Sequence, residues 1–361
     1  MSNLTDTPLG RTIAETATDI WNDSCAVDEL EYAVSYGAVG ATANPTIVVD
    51  VWHKEPERWT ARAAELLTEH ATWSEREIAW QIVAEMSTRA APLLLPAFEA
   101  SGGRAGRLSM QTDPTLYRDA DAMVEQAAGF VQLAPNIIVK FPATAAGIHA
   151  MEEATARGIS INATVCFSVA QAIAAGEAVE RGLARRRAAG ESTDEMGPVI
   201  TVMMGRIEDW LRVVVDRDRL SPDPTALPWS GVAVFKAAVA AFAERGLHAR
   251  LLGAAIRHRL HWTELVGGDV VITMPSSWQK RFNASGIHAT PRMDVPVDPA
   301  ILEELRCLPD FVAAVDPDGL AIEDFDAWPP TVRTLRSFSA SYAELLALVR
   351  DAMLPNPDKR P

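Results

Sequence analysis

Short apolar stretches alternate with longer amphipathic stretches along most of this chain. Eight of the short ones are rich in β-branched and other apolar residues and end at polar, glycine or proline positions, as buried strands do. We predict strands at residues 18–23, 39–44, 107–112, 136–144, 160–165, 198–204, 248–255 and 269–274. Several are apolar on both faces, which favours a parallel sheet covered by helices.

The segments between these strands have helical patterns. Residues 28–37 begin with acidic side chains and stop at Gly37, and residues 168–190 carry arginines near their C-terminal end, as the helix dipole favours. Eight strand–helix units predict a closed (β/α)8 barrel. The alternative is an open doubly wound sheet, but no G-x-G-x-x-G motif follows an early strand.

The chain continues well past the eighth strand. We therefore predict the barrel over residues 1–290 and a C-terminal helical extension over residues 291–361 that packs on it. Within the extension, residues 298–308 and 331–353 are predicted helices. A proline-rich loop at 216–231 joins two helices between strands 6 and 7.

Charge and composition restrict the classes of function. The 361 residues are 48% hydrophobic and carry a formal net charge of -15, which disfavours nucleic acid or an anionic membrane as partner. We expect a cytoplasmic protein, because the first ten residues are polar and no apolar run reaches the roughly 18 residues of a membrane span. Three cysteines and seven scattered histidines show no metal-ligand spacing, so we predict neither a metal site nor a cofactor.

One lysine stands out in the fourth predicted strand, NIIVKFPAT. Lys140 follows three β-branched apolar residues, and a buried charge is costly unless it is paired, neutralised or used. Lys140 could instead extend to water at the end of the strand. Only five lysines occur in the chain, so this one is hard to dismiss as ordinary surface composition.

Polar residues, Lys140 among them, fall at or near the ends of seven neighbouring strands. Active sites of (β/α)8 barrels lie at the carboxyl ends of the strands, so these side chains are expected to meet there. They are Asp23, Asn44, Gln111, Lys140, Asn162, Thr164, Thr201, Arg206 and Arg257. The set predicts a polyol and anion site around an amine. A desolvated lysine loses its proton readily and attacks a ketone or aldehyde to form a Schiff base, with Asp23 as the acid/base group.

The motifs around these residues resemble the transaldolase family of class I aldolase barrels. They are Asp23 in WNDSCAVDEL, then GATANPTIV, VKFPAT, INATVCFSVAQA, GRIEDW and GAAIR, in this order along the barrel. The resemblance implies a Schiff-base lysine at Lys140 and an acid/base carboxylate at Asp23. It also implies that Asn44 and Asn162 bind donor hydroxyls and that Thr164 positions a water. Arg206 and Arg257 are expected to face a phosphate.

Three positions depart from the family pattern. Gln111 stands where the family usually has a glutamate that orients the catalytic water. Met203 replaces an aromatic residue of strand 6, a tyrosine in the fructose-6-phosphate aldolase-like branch, and Ala255 replaces a serine of the phosphate site. Asp23, or a water held by Gln111 and Thr164, must then move the protons.

Simpler interpretations of several residues stay open. Asp23 could cap a helix, Asn44 could shape the Asn-Pro turn, and Arg257 could belong to a surface cluster. The sequence thus predicts a transaldolase-like enzyme that transfers a dihydroxyacetone-type unit from a ketose or ketose phosphate to an aldehyde. The alternatives are an aldolase that releases this unit and a catalytically silent sugar-phosphate-binding barrel. A homodimer is expected from the resemblance alone.

Overall fold

A closed barrel of eight parallel strands forms the centre of the molecule. The computed structural model describes residues 6–359. The strands lie side by side in chain order, and the eighth pairs with the first. They are β1 (Asp19–Asn22), β2 (Gly40–Thr42), β3 (Arg107–Gln111), β4 (Ile137–Pro142), β5 (Ile161–Cys166), β6 (Val199–Val202), β7 (Arg250–Gly253) and β8 (Val271–Met274). All eight predicted strands and the barrel itself are confirmed.

Helices surround the barrel and continue after it. Those up to β8 are α1 (Pro8–Glu15), α2 (Val27–Ser35), α3 (Pro45–Lys54), α4 (Pro56–Glu69), α5 (Glu75–Ala90), α6 (Leu95–Ala100), α7 (Ala120–Phe130), α8 (Ala145–Ala156), α9 (Val169–Ala188), α10 (Met204–Asp218), α11 (Ser230–Arg245) and α12 (Leu260–Thr263). Those after β8 are α13 (Ser276–Asn283), α14 (Pro299–Arg306), α15 (Pro309–Val315) and α16 (Pro329–Met353). The predicted C-terminal helical extension is present as α14 to α16.

The interior of the barrel is layered. Side chains of a strand alternate between the two faces of the sheet, so every second residue points inward. Below the cavity, inward residues form an apolar plug of Trp21, Ile138, Val199, Leu252 and Val271, and Ala254 joins this cluster from the carboxyl end of β7, where it also lines the cavity. Gly40 gives the Trp21 indole room, since a Cβ at Gly40 would come within 2.3 Å of the ring. The plug closes the barrel from below, and the next inward layer is polar.

The long helix α16 lies across α3, α4 and α5 on the carboxyl side of the barrel. Polar pairs join it to these helices: the Thr46 and Ser341 hydroxyls lie 2.9 Å apart, and the Trp80 indole N–H donates to the Tyr342 hydroxyl at 3.1 Å. About one turn before these residues in α16, buried Phe338 reaches the mouth of the barrel. The extension therefore contributes to the site as well as to the fold.

One helical stretch among the described residues, Leu227–Arg245, is long and apolar enough to cross a membrane by length and composition. More than half of it is buried against the rest of the protein, as in a core helix.

Candidate active site

A cavity of about 350 Å³ opens at the carboxyl ends of the strands. Its wall combines hydroxyl, carboxylate, amine and guanidinium groups with a few apolar side chains. Seven of the nine predicted site residues line it: Asp23, Asn44, Lys140, Thr164, Thr201, Arg206 and Arg257. Asn162 lies just beneath the wall, and Gln111 faces another cavity.

Lys140 points into the barrel from β4 and is only 5% exposed. Its Nζ has one hydrogen-bond acceptor among the described residues, the Ala43 carbonyl at 3.4 Å, and no carboxylate within ion-pair distance. Burial lowers the pKa of Lys140 to about 8, and the charge of Asp23 only partly opposes this shift. An appreciable fraction of this amine is therefore neutral near neutral pH, which is the form that attacks a carbonyl carbon. The burial excludes the alternative in which Lys140 extends to water.

Asp23 directly follows β1 and is held by a hydroxyl pair. The Thr42 hydroxyl donates to Asp23 Oδ1 at 2.5 Å, and Thr42 Oγ1 lies 3.1 Å from Thr273 Oγ1. The helix-cap alternative does not hold, since α2 starts at Val27 and its N-cap residue, Ala26, makes no side-chain cap bond. Asp23 is half-buried and faces the same cavity as Lys140, so it can exchange protons with a bound molecule.

Asn162 is fully buried and works through its neighbours. It lies beside Lys140 in the sheet register. Its amide donates to the Ser109 hydroxyl at 3.0 Å, and its carbonyl accepts from the Thr201 hydroxyl at 2.7 Å. Thr201 lines the cavity and Asn162 does not. The geometry makes Asn162 a support for Thr201, one step away from the predicted direct contact with substrate.

Thr164 and Asn44 each combine a local role with a place on the cavity wall. Thr164 lies in a bulge of β5, where the register against β6 shifts and Val165 has a φ of 53°. Its hydroxyl contacts the Met203 sulfur at 3.8 Å. The Asn44 side chain accepts from the Ile47 amide at 3.0 Å and caps α3, so the structural alternative raised from the sequence is present here.

Gln111 is not brought into the central cavity. It lies beside Lys140 in the register of β3 and β4, but its side chain faces a separate cavity of about 20 Å³. Trp80, Ser87 and Tyr342 also line this space, which is large enough for a single water. Gln111 Oε1 is buried there with no protein partner among the described residues. The prediction of a catalytic Gln111 therefore has no direct geometric support, because its side chain faces this small cavity beside α5 and α16 instead of the central one.

Two arginines form the cationic side of the cavity. Arg206 is largely buried at the start of α10, with its guanidinium carbon 5.3 Å from the centroid of the Phe338 ring. Burial lowers the pKa of Arg206, and the charge of Arg257 lowers it further. Arg257 pairs with Asp209, Nη2 to Oδ2, at 2.7 Å. Arg206 has no ion pair within residues 6–359, so this side of the cavity offers its positive charge to an anion.

The opposite rim is acidic, which the sequence did not reveal. Glu29 and Asp50 line the cavity from α2 and α3. Glu29 pairs with Lys54 at 3.1 Å, whereas burial raises the pKa of Asp50 and the charges of Glu29 and Glu344 raise it further. The cavity is thus cationic at one end and anionic at the other.

Thr42, Thr273 and Phe338 also line or support the site and were missed from the sequence. Strand alternation could have found Thr42, since it lies two residues before Asn44 and shares its face. It could not have found Phe338, whose position depends on where α16 packs.

One cluster has metal-ligand chemistry. Glu208, His258 and His261 bring one carboxylate oxygen and two ring nitrogens within 4.8 Å of one another. The sequence predicts no metal site, since Arg257 next to His258 and His261 disfavours a cation, and the structure adds Glu208 to the two histidines.

The geometry agrees with comparisons to known proteins. A family model described as Transaldolase/Fructose-6-phosphate aldolase matches residues 20–317. The chain belongs to this family. A transaldolase from Thiobacillus denitrificans is 27% identical over 94% of this chain and 99% of its own length. A transaldolase from Mycobacterium bovis is 27% identical over 92% and 93%, and one from Neisseria meningitidis is 33% identical over 53% and 54%.

The structure shows what the departures from the transaldolase pattern do. Met203 puts a thioether, with no exchangeable proton, on the cavity wall next to Thr164. Ala255 adopts the left-handed conformation, with a φ of 61°, and has no hydroxyl to offer. Among the residues that line the cavity, Asp23 is the carboxylate on the same inward layer as Lys140. The family relation indicates an enzyme of the transaldolase and aldolase class.

Proposed function

We propose that this protein transfers a dihydroxyacetone-type three-carbon unit from a ketose or ketose phosphate to an aldehyde, with Lys140 as the covalent carrier. One observation carries the proposal: a lysine with a pKa of about 8 lies in a sugar-sized cavity with a carboxylate on the facing wall. The reaction requires no metal or cofactor, because the iminium withdraws the electrons.

The first step joins the amine to the substrate. Neutral Lys140 Nζ attacks the carbonyl carbon of the ketose, and loss of water from the carbinolamine gives an iminium. Thr164 and Thr201 line the same cavity, and their hydroxyl oxygens can accept hydrogen bonds from the departing water. The low polarity around the plug residues favours the uncharged amine at the start.

The second step breaks the carbon–carbon bond. Asp23 accepts the proton of the hydroxyl on the far side of that bond, the aldehyde leaves, and the bonding electrons move into the iminium to give an enamine. Its hydrogen bond from Thr42 orients the Asp23 carboxylate. In the reverse direction, the enamine attacks an acceptor aldehyde and Asp23 returns the proton to the new hydroxyl. Hydrolysis of the iminium then frees Lys140.

The substrate would lie with its anionic group at the arginine end. Arg206 has no ion pair within the described part of the chain, and Arg257 is exposed at the cavity edge. An anion there would pair with Arg206 and could also bind Arg257, whose charge Asp209 already partly compensates. The three-carbon end then reaches Lys140.

An aldolase that releases the three-carbon unit is a second candidate. It is favoured by Gln111, because the fructose-6-phosphate aldolase-like branch also has glutamine at this position. Met203 argues against it, since that branch uses a tyrosine there for proton transfer. Whether turnover requires an acceptor aldehyde distinguishes the two reactions.

The test is a borohydride trap. We would incubate the protein with fructose 6-phosphate or dihydroxyacetone, reduce, digest, and determine the mass of the peptide that contains Lys140. We expect an adduct there that is lost in Lys140→Met and kept in Lys280→Met, a control at a lysine packed on Tyr32 away from the cavity. The absence of an adduct with a panel of phosphorylated and free ketoses would contradict the proposal and leave a barrel that only binds.

A further inference from the structure

Glu208 is a buried carboxylate that the proposed chemistry does not use. It lies in the first turns of α10, between Arg206 and Trp210, and is 2% exposed. Three cationic or polar side chains surround it. The Arg212 guanidinium donates to Oε1 at 2.6 Å, His258 Nε2 lies 2.8 Å from Oε2, and His261 Nε2 lies 3.6 Å from the same oxygen.

His261 connects this carboxylate to the loop that carries Arg257. The His261 ring is fully buried, and its Nδ1 accepts the backbone N–H of Arg257 at 3.3 Å. The ring of His258 packs against it at a tilt, with centroids 4.1 Å apart. A chain of contacts thus runs from Glu208 through His261 to the Arg257 backbone.

The residue next to Glu208 holds the other end of Arg257. Asp209 pairs with the Arg257 guanidinium at 2.7 Å. The two segments also pack closely, because a Cβ on Gly205 would come within 1.9 Å of the Ala255 carbonyl oxygen. Consecutive acidic residues of α10 therefore fix the backbone and the side chain of one arginine.

Glu208, His258 and His261 could also be ligands for a divalent cation, but their hydrogen bonds argue against a metal site. A histidine bound to a metal through Nε2 carries its proton on Nδ1 and donates it to an acceptor. His261 Nδ1 faces an N–H donor instead, so its proton belongs on Nε2, toward Glu208. His258 Nδ1 has no acceptor within the described residues. His258 Nε2 therefore lies within hydrogen-bond distance of the carboxylate, and the Nε2 proton of His261 faces the same oxygen at 3.6 Å, as an electrostatic contact longer than a hydrogen bond.

We propose that Glu208, His258 and His261 form a positioning network that presents Arg257 to the anionic group of the substrate. The proposal rests on the function proposed above for its anionic substrate, although binding can be measured without turnover. Glu208 touches no substrate in this arrangement. Glu208 orients the His261 ring. His261 in turn holds the backbone of the loop that carries Arg257, and this loop determines where the arginine side chain starts.

The first measurement is binding of inorganic phosphate by calorimetry, because it needs neither Lys140 nor an acceptor. Glu208→Gln keeps the size of the side chain and removes its charge. We expect the Kd for phosphate to rise about fivefold to tenfold, as loss of an oriented charged contact does. Arg257→Ala should weaken binding at least as much. Adding Glu208→Gln to Arg257→Ala should change little more, since both changes remove the same interaction.

Glu264→Gln is the matched control. Glu264 is also buried, and it pairs with Lys236 at 3.3 Å and Arg292 at 2.7 Å, near His261 but outside the cavity. Glu264→Gln should lower the free energy of unfolding without changing the Kd for phosphate. If Glu208→Gln unfolds the protein, His258→Gln tests the same network with a smaller loss, and a threefold change is expected.

Kinetics give a second readout. With a phosphorylated ketose, Glu208→Gln should raise KM and leave kcat within about twofold, while borohydride trapping with unphosphorylated dihydroxyacetone should be unchanged. If Glu208→Gln lowered borohydride trapping equally with the phosphorylated ketose and with dihydroxyacetone, the effect would be a general structural one and the proposal would be overturned. An unchanged phosphate Kd in Glu208→Gln would overturn it too.

Two outcomes separate this proposal from its alternatives. If wild-type protein does not bind phosphate but the Lys140 adduct forms, the positioning proposal is wrong and the carrier function stands. If Zn²⁺ alone binds saturably, and the double variant His258→Gln, His261→Gln loses that binding, the cluster is a metal site and our assignment is wrong.

Discussion

The Thr42 hydroxyl lies 2.5 Å from Asp23 Oδ1 and joins the end of β1 to β2. The short contact fixes one oxygen of the carboxylate and leaves the other to face the cavity. Because hydrogen bonds to charged groups are worth about 1.5–3 kcal/mol, this contact can hold Asp23 in one orientation.

Replacing Thr42 tests that orientation. We expect Thr42→Val, which keeps the shape of the side chain, to lower kcat about tenfold or more while the Lys140 adduct still forms. Thr42→Ser restores the hydroxyl and should recover most of the rate. A Thr42→Val enzyme with full kcat would show that Asp23 needs no such support.

The Phe338 ring should hold Arg206 in place from α16. Phe338→Leu keeps an apolar side chain but removes the ring face, and a cation–π contact is worth about 0.5–2 kcal/mol. We expect KM for a phosphorylated ketose to rise about threefold to tenfold. Phe311→Leu, a fully buried change in α15, is the control for stability and should leave KM unchanged. Equal effects of the two variants would contradict a specific role for Phe338.

The Lys140 adduct should form faster as pH rises through about 8, because the neutral amine is the nucleophile and its pKa is about 8. The Asp23 charge raises the pKa of Lys140 and so works against burial. Asp23→Asn should therefore move the midpoint of the pH dependence to lower pH. The measurement is the initial rate of borohydride trapping with dihydroxyacetone between pH 6 and 10. A midpoint that stays in place or rises would contradict the charge coupling.

Lys140→Met should stabilise the fold. Folding lowers the pKa of this lysine from its ordinary value of 10.5 to about 8, so the folded state holds the proton less tightly than the unfolded state. Below pH 8 both states are protonated and the full cost applies, about 3 kcal/mol from the shift. The cost declines between pH 8 and 10.5 and is gone above that range.

Urea denaturation at pH 7 and pH 10 measures this difference. The gain from Lys140→Met should be larger at pH 7. Lys280→Met, at a lysine packed on the Tyr32 ring outside the cavity, is the control for the loss of a lysine. Lower stability of Lys140→Met at pH 7 would mean that burial of the amine is fully compensated.

The acidic rim should select against a second anionic group. Glu29 and Asp50 face the cavity opposite the arginines, and a phosphate at that end would meet like charges. We expect a ketose monophosphate to bind at least about tenfold more tightly than the corresponding bisphosphate. The double variant Glu29→Gln, Asp50→Asn should reduce this difference in affinity between monophosphate and bisphosphate. Glu31→Gln, on the exposed face of α2, should leave it unchanged. Equal affinities in the wild type would contradict the prediction.

The sequence specified the barrel and most of the site. Strand positions follow from local runs of apolar residues, and the inward positions of Lys140 and Thr164 follow from strand alternation. Strand positions and inward-facing positions each depend on only a few consecutive residues, so they can be predicted from a single sequence. Parallel strands also end at the same side, which is why the polar ends of seven strands could be expected to meet.

Only the tertiary structure determined which of these residues face the cavity and which support a neighbour. Asn162 supports Thr201, Gln111 turns toward α16, and Asp209 pairs with Arg257. None of these relations is local, since each depends on how separate elements pack. Phe338 reaches the cavity and Glu208 lies behind Arg257 because of where α16 and α10 pack. The sequence by itself determined which groups are present and which way the strands point them, and packing determined which of them reach the cavity, because distances between distant elements are set by the whole core.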